Sequence, residues 1–156
     1  AIKGQDPFLI ILDGVEDPHN LGSVLRVADC GGVHGVIIAR HRAASVNETV
    51  IRVSSGAAAH VKVARVTNVN DVIKNLKEQN IIVLAAETGG DNLYKTNLKG
   101  ALALVIGGED SGVKRLTKQL CDGVISLPMF GEVNSLNASV ACGAVVYEAI
   151  RQRNFD

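Results

Sequence analysis

Three stretches of this sequence combine polar side chains with glycine, proline and apolar neighbours at spacings that suit a ligand. The first runs from Asp13 through Asp17-Pro-His-Asn-Leu-Gly22 to Arg26. It sets Asn20 near the start of a helical pattern and Arg26 about one and a half turns further on. Arginine grips phosphate through a planar fork of charge-assisted hydrogen bonds, and a helix N-terminus adds backbone donors for an anion. Arg26 lies off the apolar stripe of Leu21, Leu25 and Ala28, so it need not enter the core. A helix cap at Asn20 and a solvated Arg26 explain the same spacing.

The second stretch is Val105-Ile-Gly-Gly-Glu-Asp-Ser-Gly112. Glycine after a strand lets a ligand come close to the backbone, and Glu109 stands where strand meets loop, in reach of a ribose or a base. The pattern is neither the dinucleotide fingerprint nor the P-loop, whose Lys-Ser/Thr ending is missing. By itself it also reads as an ordinary glycine turn. The third stretch, Ile125 to Ser139, ends a strand at Pro128 and offers Ser135, Asn137 and Ser139 at a helix start. Such groups usually cap helices. Here Leu127, Met129 and Leu136 add an apolar rim, the mixture that an adenine-sized pocket needs. Ser-His-Asp, zinc and paired-carboxylate constellations are missing. His19 is the only histidine within these stretches, where it can meet RNA or face solvent.

The elements that must hold these loops follow from periodicity. Short runs rich in β-branched residues recur at 8–13, 35–39, 61–65, 81–85, 101–106 and 124–127, and read as strands mostly buried on both faces. Between them lie helical patterns from Leu21 to Ala28, stopped by Gly31-Gly32, then over Val69–Gln79, Val113–Leu120, and from Asn137 or Ala138 to Arg151. Residues 47–54 form a weaker helical pattern. Alternation of this kind predicts an α/β fold with a mostly parallel sheet flanked by helices, and such sheets bind ligands beyond the carboxyl ends of their strands.

At 156 residues, 47% apolar and 21% charged, the chain has the size and balance of one globular domain. Aromatic residues are only 3%, so aliphatic side chains must build the core. Sixteen basic and sixteen acidic residues cancel, which is unusual for an RNA binder. Local clusters at Arg40, Arg42, Lys62 and Arg65, and at Lys114, Arg115 and Lys118, can meet RNA or simply be solvated. Cys30, Cys121 and Cys142 are scattered, which suggests buried free thiols in a reducing, cytoplasmic setting. The histidines lack metal-ligand spacing, no metal is expected, and no apolar run is long enough to span a membrane.

Taken in order, the three stretches resemble the three motifs of the SpoU/TrmH family of RNA 2′-O-ribose methyltransferases, within the SPOUT superfamily. Asp17-Pro-His-Asn-Leu-Gly22 with Arg26 looks like the first motif, Leu104 to Gly112 like the second, and Ser126-Leu-Pro-Met129 with Ser135-Leu-Asn-Ala-Ser139 like the third. The likeness covers Phe8 to Arg153 and is nearest to the bacterial enzymes that methylate a guanosine ribose in large-subunit rRNA. It implies a C-terminal trefoil knot that forms a pocket for S-adenosyl-L-methionine. Gly107, Leu127 and Leu136 would touch that cofactor, with Met129 nearby and the segment after Ala85 contributing. It implies that Asn20, Arg26, Glu109, Ser135 and Asn137 serve catalysis. Arginine stays protonated in proteins. Arg26 is therefore expected to orient an RNA phosphate and steady the developing alkoxide, while phosphate or water takes the proton.

The resemblance further implies a homodimer whose sites borrow residues across the interface. Ala138, Ala141, Gly143 and Ala144 permit close packing of the last helix there, or within one chain. Residues 1–7 read as a linker remnant and 8–156 as the catalytic domain, with an N-terminal RNA-binding domain expected to be absent from this chain. rRNA is expected ahead of tRNA as substrate. A non-catalytic RNA-binding module and a base methyltransferase are the alternatives. A nucleotide-dependent α/β oxidoreductase would need a glycine-rich turn after the first strand, which Asp13-Gly-Val-Glu-Asp-Pro18 does not supply.

Overall fold

The computed structural model describes residues 5–41, 43–108, 111–133 and 136–156. The apolar runs become strands β1 (Phe8–Asp13), β2 (Gly35–Ala39), β3 (Val63–Val66), β4 (Ile82–Asn92), β5 (Leu102–Gly107) and β6 (Gly123–Ser126). They form one sheet in the order β3-β2-β1-β5-β4-β6, and every neighbouring pair is parallel. Parallel neighbours need crossovers rather than tight turns. Helices α1 (Pro18–Cys30), α2 (Glu48–Val53), α3 (Val69–Glu78) and α4 (Arg115–Leu120) lie in those connections, and α5 (Ala138–Phe155) follows the last strand.

Side chains alternate across the sheet with period two, so one run feeds two cores. Ile10, Leu12, Leu102, Leu104 and Ile106 pack with Leu21, Val24 and Leu25 of α1 and with Val145, Val146 and Ala149 of α5. Ile11, Val83, Ala103 and Val105 pack on the other face with Val69 and Ile73 of α3 and with Val113. Burial on both faces holds for β1 and β5. It fails for β3, whose two central residues are exposed. This strand is the sheet's edge, and its exposed Arg65 suits a position that must not recruit another strand.

Boundaries differ from the sequence pattern where long-range contacts take over. The fourth helix starts at Arg115 instead of Val113, because Val113 is a core residue whose N–H is donated to Glu87. The last helix runs on to Phe155, held by Gln152 Nε2 donating to Thr96 O at 2.9 Å and Arg153 Nη1 donating to Gly100 O at 2.6 Å. Strand β4 extends to Asn92, but its ladder with β6 is interrupted: Ala86 and Asp91 both register with Ile125. The thiols are not uniformly buried as expected, since Cys142 is buried, Cys121 half-buried and Cys30 exposed on the last turn of α1.

Candidate active site

Asp13 ends β1 with a buried carboxylate, and the chain leaves the sheet there. Helix α1 then begins with Asp17 as its cap, accepting from His19 N at 2.8 Å, and with Pro18 in the first turn. Pro18 presets the helical φ and gives up a donor that the first turn would leave unpaired anyway. Asn20 is therefore inside the first turn rather than the cap, and is buried at 6% exposure. Arg26 is exposed on the same helix. Six residues of helix rise about 9 Å and turn through roughly 600°, leaving the two side chains about 120° apart. Helix geometry thus directs the two side chains to different sides of α1.

The loop after β5 is fastened from both sides. Gly108 N donates to Asp13 O at 3.1 Å, and Gly112 N donates back to Gly108 O at 3.0 Å. Lys114 N donates to Asp13 Oδ2 at 2.8 Å while its ammonium stands 3.3 Å from Oδ1. On the other side, Val113 N donates to Glu87 Oε2 at 2.8 Å. A Cβ on Gly107 would fall 2.1 Å from the Gly112 carbonyl carbon, so the backbone segments touch directly. Glu109 of the second motif and Ser135 of the third lie outside the described residues, as does Arg42 of the basic cluster.

At the carboxyl ends of β5 and β6, beside the interrupted middle of β4, lies a cavity of about 290 Å³. Gly107, Leu127, Met129 and Leu136 all line it, with Ile106 and Ile125 from the strand ends and Ala138, Ala141 and Val145 from α5. Its polar lining comes from Glu87, Thr88, Ser111 and Ser126. Backbone at Gly107, Gly108 and Gly112 completes the wall. Apolar side chains beside a few polar groups suit a flat heterocycle with a hydroxylated arm, and the volume is at the small end of the ~300–1,000 Å³ usual for such sites. Neither Asn20 nor Arg26 is among the lining residues.

Asn137 caps α5: its Oδ1 accepts from Ser139 N at 2.9 Å and from Ser139 Oγ at 2.7 Å. The cap fixes how the third stretch enters the helix, and so places Leu136 against the cavity. Two residues of the site were not singled out by sequence, Asp13 and Glu87. Asp13 is a carboxylate at the carboxyl end of β1, and Glu87 stands inside β4 just after its pairing with β5 stops at Ala86, which is the only local signal either carries. Their partners, Lys114 and Val113, lie 101 and 26 residues away.

Gly143 of α5 would place a Cβ 3.7 Å from Val27 of α1, so this small residue serves contact within the chain. The opposite character appears at Phe130, Val133 and Val140, which are 97%, 77% and 55% exposed. Among the described residues no group of three or more His, Cys, Asp or Glu side chains is placed to hold a metal ion. No helix among them is long and apolar enough to cross a membrane.

Known proteins agree with this geometry. The chain is 50% identical over 151 residues to the 23S rRNA (guanosine-2′-O-)-methyltransferase RlmB of Escherichia coli, covering 96% of this chain and 62% of that protein. The same figures hold for RlmB of Photorhabdus laumondii. The chain thus spans under two thirds of the length of these curated relatives. Among solved structures, the SpoU methyltransferase AviRb from Streptomyces viridochromogenes in complex with AdoMet superposes with a TM-score of 0.89 at 31% identity, over 97% of this chain and 59% of that one. The A. aeolicus TrmH/SpoU tRNA modifying enzyme gives 0.86 at 27% identity, over 95% and 76%. The model of the SpoU rRNA methylase family matches residues 7–147, and with this sheet and cavity the chain belongs to that family.

Proposed function

We propose that this chain carries out S-adenosylmethionine-dependent methylation of a ribose 2′-hydroxyl in RNA, on a guanosine of large-subunit rRNA. The convergence of Gly107, Leu127, Met129 and Leu136 on one cavity carries this proposal, because three separate segments of chain build a single adenine-sized site. When bound, the cofactor supplies a methyl group already activated on a sulfonium, so orientation provides much of the rate. Gly107, Gly108 and Gly112 offer backbone to the ligand, and Ile106, Leu127 and Leu136 hold the base and exclude water. The meeting of residues 86–88, of 106–108 with 111–112, and of 125–127 with Met129 and Leu136 around one cavity also supports the trefoil knot.

Arg26 serves the RNA side. Its guanidinium orients a phosphate next to the target ribose and steadies negative charge as the hydroxyl proton leaves to phosphate or water. Asn20, Glu109, Ser135 and Asn137 serve the nucleotide as further catalytic residues. Arg26 is exposed and does not line its own chain's cavity. A second copy of the chain completes the site, covering the exposed apolar side chains of Phe130, Val133 and Val140 and bringing its Arg26 to the cavity of the first. Arg40 and Arg65 add cationic side chains at the carboxyl ends of β2 and β3.

Calorimetric titration with S-adenosylhomocysteine and with NAD, followed by transfer of labelled methyl to a large-subunit rRNA fragment, tests the proposal. One S-adenosylhomocysteine per subunit, no NAD, and labelled 2′-O-methylguanosine in digested RNA are expected. NAD binding alone would overturn the cofactor assignment. Cofactor binding with label on a base would overturn the ribose assignment.

A further inference from the structure

We infer that Glu87 is a specificity-determining residue of this cavity, accepting hydrogen bonds from the vicinal hydroxyls of a bound nucleoside's ribose. The inference deepens the proposed cofactor site and rests on it. Because Ala86 and Asp91 both register with Ile125, the four residues between them leave the β4–β6 ladder, and Glu87 is the first. The interruption turns its side chain to the loop after β5. There Oε2 accepts from Val113 N at 2.8 Å, and a Cβ on Gly112 would lie 2.8 Å from both carboxylate oxygens. Gly112 also has φ +64°, so glycine meets two demands at that contact.

Only part of the carboxylate is used. A carboxylate offers about four lone-pair sites, and Oε1 has no donor among the described residues. Glu87 is the only ionisable side chain among the described residues that line the cavity. Of the neighbouring hydroxyls, Ser126 Oγ is already donated to Gly90 O at 2.9 Å. An under-used anionic acceptor next to the apolar slot of Ile106, Leu127 and Leu136 matches a base with a pair of hydroxyl donors attached. An acidic residue where a parallel pairing ends, as Glu87 is after Ala86, accepting from a ribose hydroxyl, is a recurring physical solution for nucleoside ligands.

Three probes separate the donors that such a carboxylate can read: S-adenosylhomocysteine, methylthioadenosine, which lacks the amino-acid ammonium, and 2′,3′-dideoxy-S-adenosylhomocysteine, which lacks the diol. Each is titrated calorimetrically into the wild type, Glu87→Ala and Glu87→Gln. In Glu87→Ala, affinity for the two diol ligands should fall roughly tenfold or more, as for a lost hydrogen bond to a charged group. Affinity for the dideoxy ligand should fall less than that for the diol ligands in Glu87→Ala, and in Glu87→Gln, which keeps the tie to Val113 N, it should change less than about twofold. Glu87→Gln keeps an oxygen for Val113 N, so it should melt like the wild type yet still lose affinity for the diol ligands. Equal losses for all three ligands would reduce Glu87 to a fastener of the loop and overturn the inference. A loss for S-adenosylhomocysteine but not methylthioadenosine would assign the carboxylate to the ammonium instead. Wild-type protein that binds none of the three would overturn the cofactor site itself, and this inference with it.

Discussion

Replacing Gly107 with alanine asks whether direct backbone contact holds the loop after β5. The added Cβ would lie 2.1 Å from the Gly112 carbonyl carbon, 2.2 Å from Val113 N and 2.4 Å from Gly112 O. Ordinary contact begins near 3.4 Å, so the 112–113 backbone must retreat by 3.4 minus 2.1, about 1.3 Å. All three neighbours are backbone atoms, and no flexible side chain can absorb the displacement. The retreat pulls on Gly112 N–Gly108 O at 3.0 Å, on Val113 N–Glu87 Oε2 at 2.8 Å and on Lys114 N–Asp13 Oδ2 at 2.8 Å. Overpacking of this kind costs about 1–3 kcal/mol, offset in part by the ~0.4–1 kcal/mol that alanine gains over glycine in the unfolded chain. A net loss of about 1–2 kcal/mol corresponds to a fall in Tm of roughly 2–8 °C for a domain of this size. Because the moved backbone is also cavity wall, affinity for S-adenosylhomocysteine should fall roughly tenfold or more. Gly131→Ala is the control, since a Cβ there meets nothing within 4 Å, and it should stay within about 0.5 kcal/mol of wild type. Thermal unfolding at fixed protein concentration and calorimetric titration of both variants give the comparison. If Gly107→Ala melts and binds like Gly131→Ala, the close contact between Gly107 and the 112–113 backbone is not what holds this wall.

A pH–rate profile of single-turnover methyl transfer by Arg26→Lys separates a specific guanidinium role from bulk positive charge. The lysine should lose the two-pronged grip and slow the chemical step, whereas an unchanged rate and profile would remove Arg26 from its assigned part. His34 Nδ1 accepts from Phe8 N at 2.9 Å, and burial together with the Arg153 charge holds its pKa below 6.5. A depressed pKa means that its contribution to stability is complete above the unfolded value and is lost as pH falls through the folded one. An NMR titration midpoint at or above 6.5 would contradict this, and His34→Asn should flatten the acid limb of the Tm–pH curve. Burial, then the nearby Asp122 charge, pushes the Cys121 thiol up to about 11, and burial pushes Cys142 up to about 12. A disulfide reagent at pH 8 should therefore label one thiol, exposed Cys30, in the folded protein and three in denaturant. Rapid loss of two or more thiols from folded protein would contradict that placement.

How much of this was legible in the sequence depended on the range of the deciding contact. Residues 8–13 and 35–39 keep their sequence-read bounds as β1 and β2, because turn residues flank each run and local rules suffice. The helical period alone shows that Asn20 and Arg26 point apart, since six residues do not complete a whole number of turns. The four residues expected to meet a cofactor do share a cavity. Glu87 escaped notice because Ala86-Glu-Thr-Gly-Gly90 reads as a strand giving way to a turn, and nothing local announces that it will meet Val113. Asp13 reads only as the end of an apolar run, though its carboxylate binds a residue 101 positions away. Val113 fits the α4 helical pattern by composition, and core burial takes it out of the helix.

The strand order also explains why the cavity is not where a parallel sheet would first suggest. The chain passes from β1 outward to β2 and β3, then returns to the far side for β4 and β5, so the topological switch lies between β1 and β5. A ligand crevice is expected beyond the carboxyl ends of those two strands. Here that crevice is filled by the chain itself. Gly108 N bonds to Asp13 O, a Cβ on Gly108 would sit 2.3 Å from Gly14 O, and Asp13 takes both the backbone and the ammonium of Lys114. Space opens instead one strand further on, where the interruption of the β4–β6 ladder draws residues 87–90 out of register. The cavity is bounded by β5, β4 and β6, and the segment returning from β6 to α5 closes it with Leu127, Met129 and Leu136. Asp13 and Glu87 thus divide the work: one seals the switch point, and the other holds the opposite side of the same loop at the mouth of the displaced site. Removing the Asp13 carboxylate should loosen the seal and its loop together, whereas removing that of Glu87 leaves the seal intact and alters only the wall that a ligand meets.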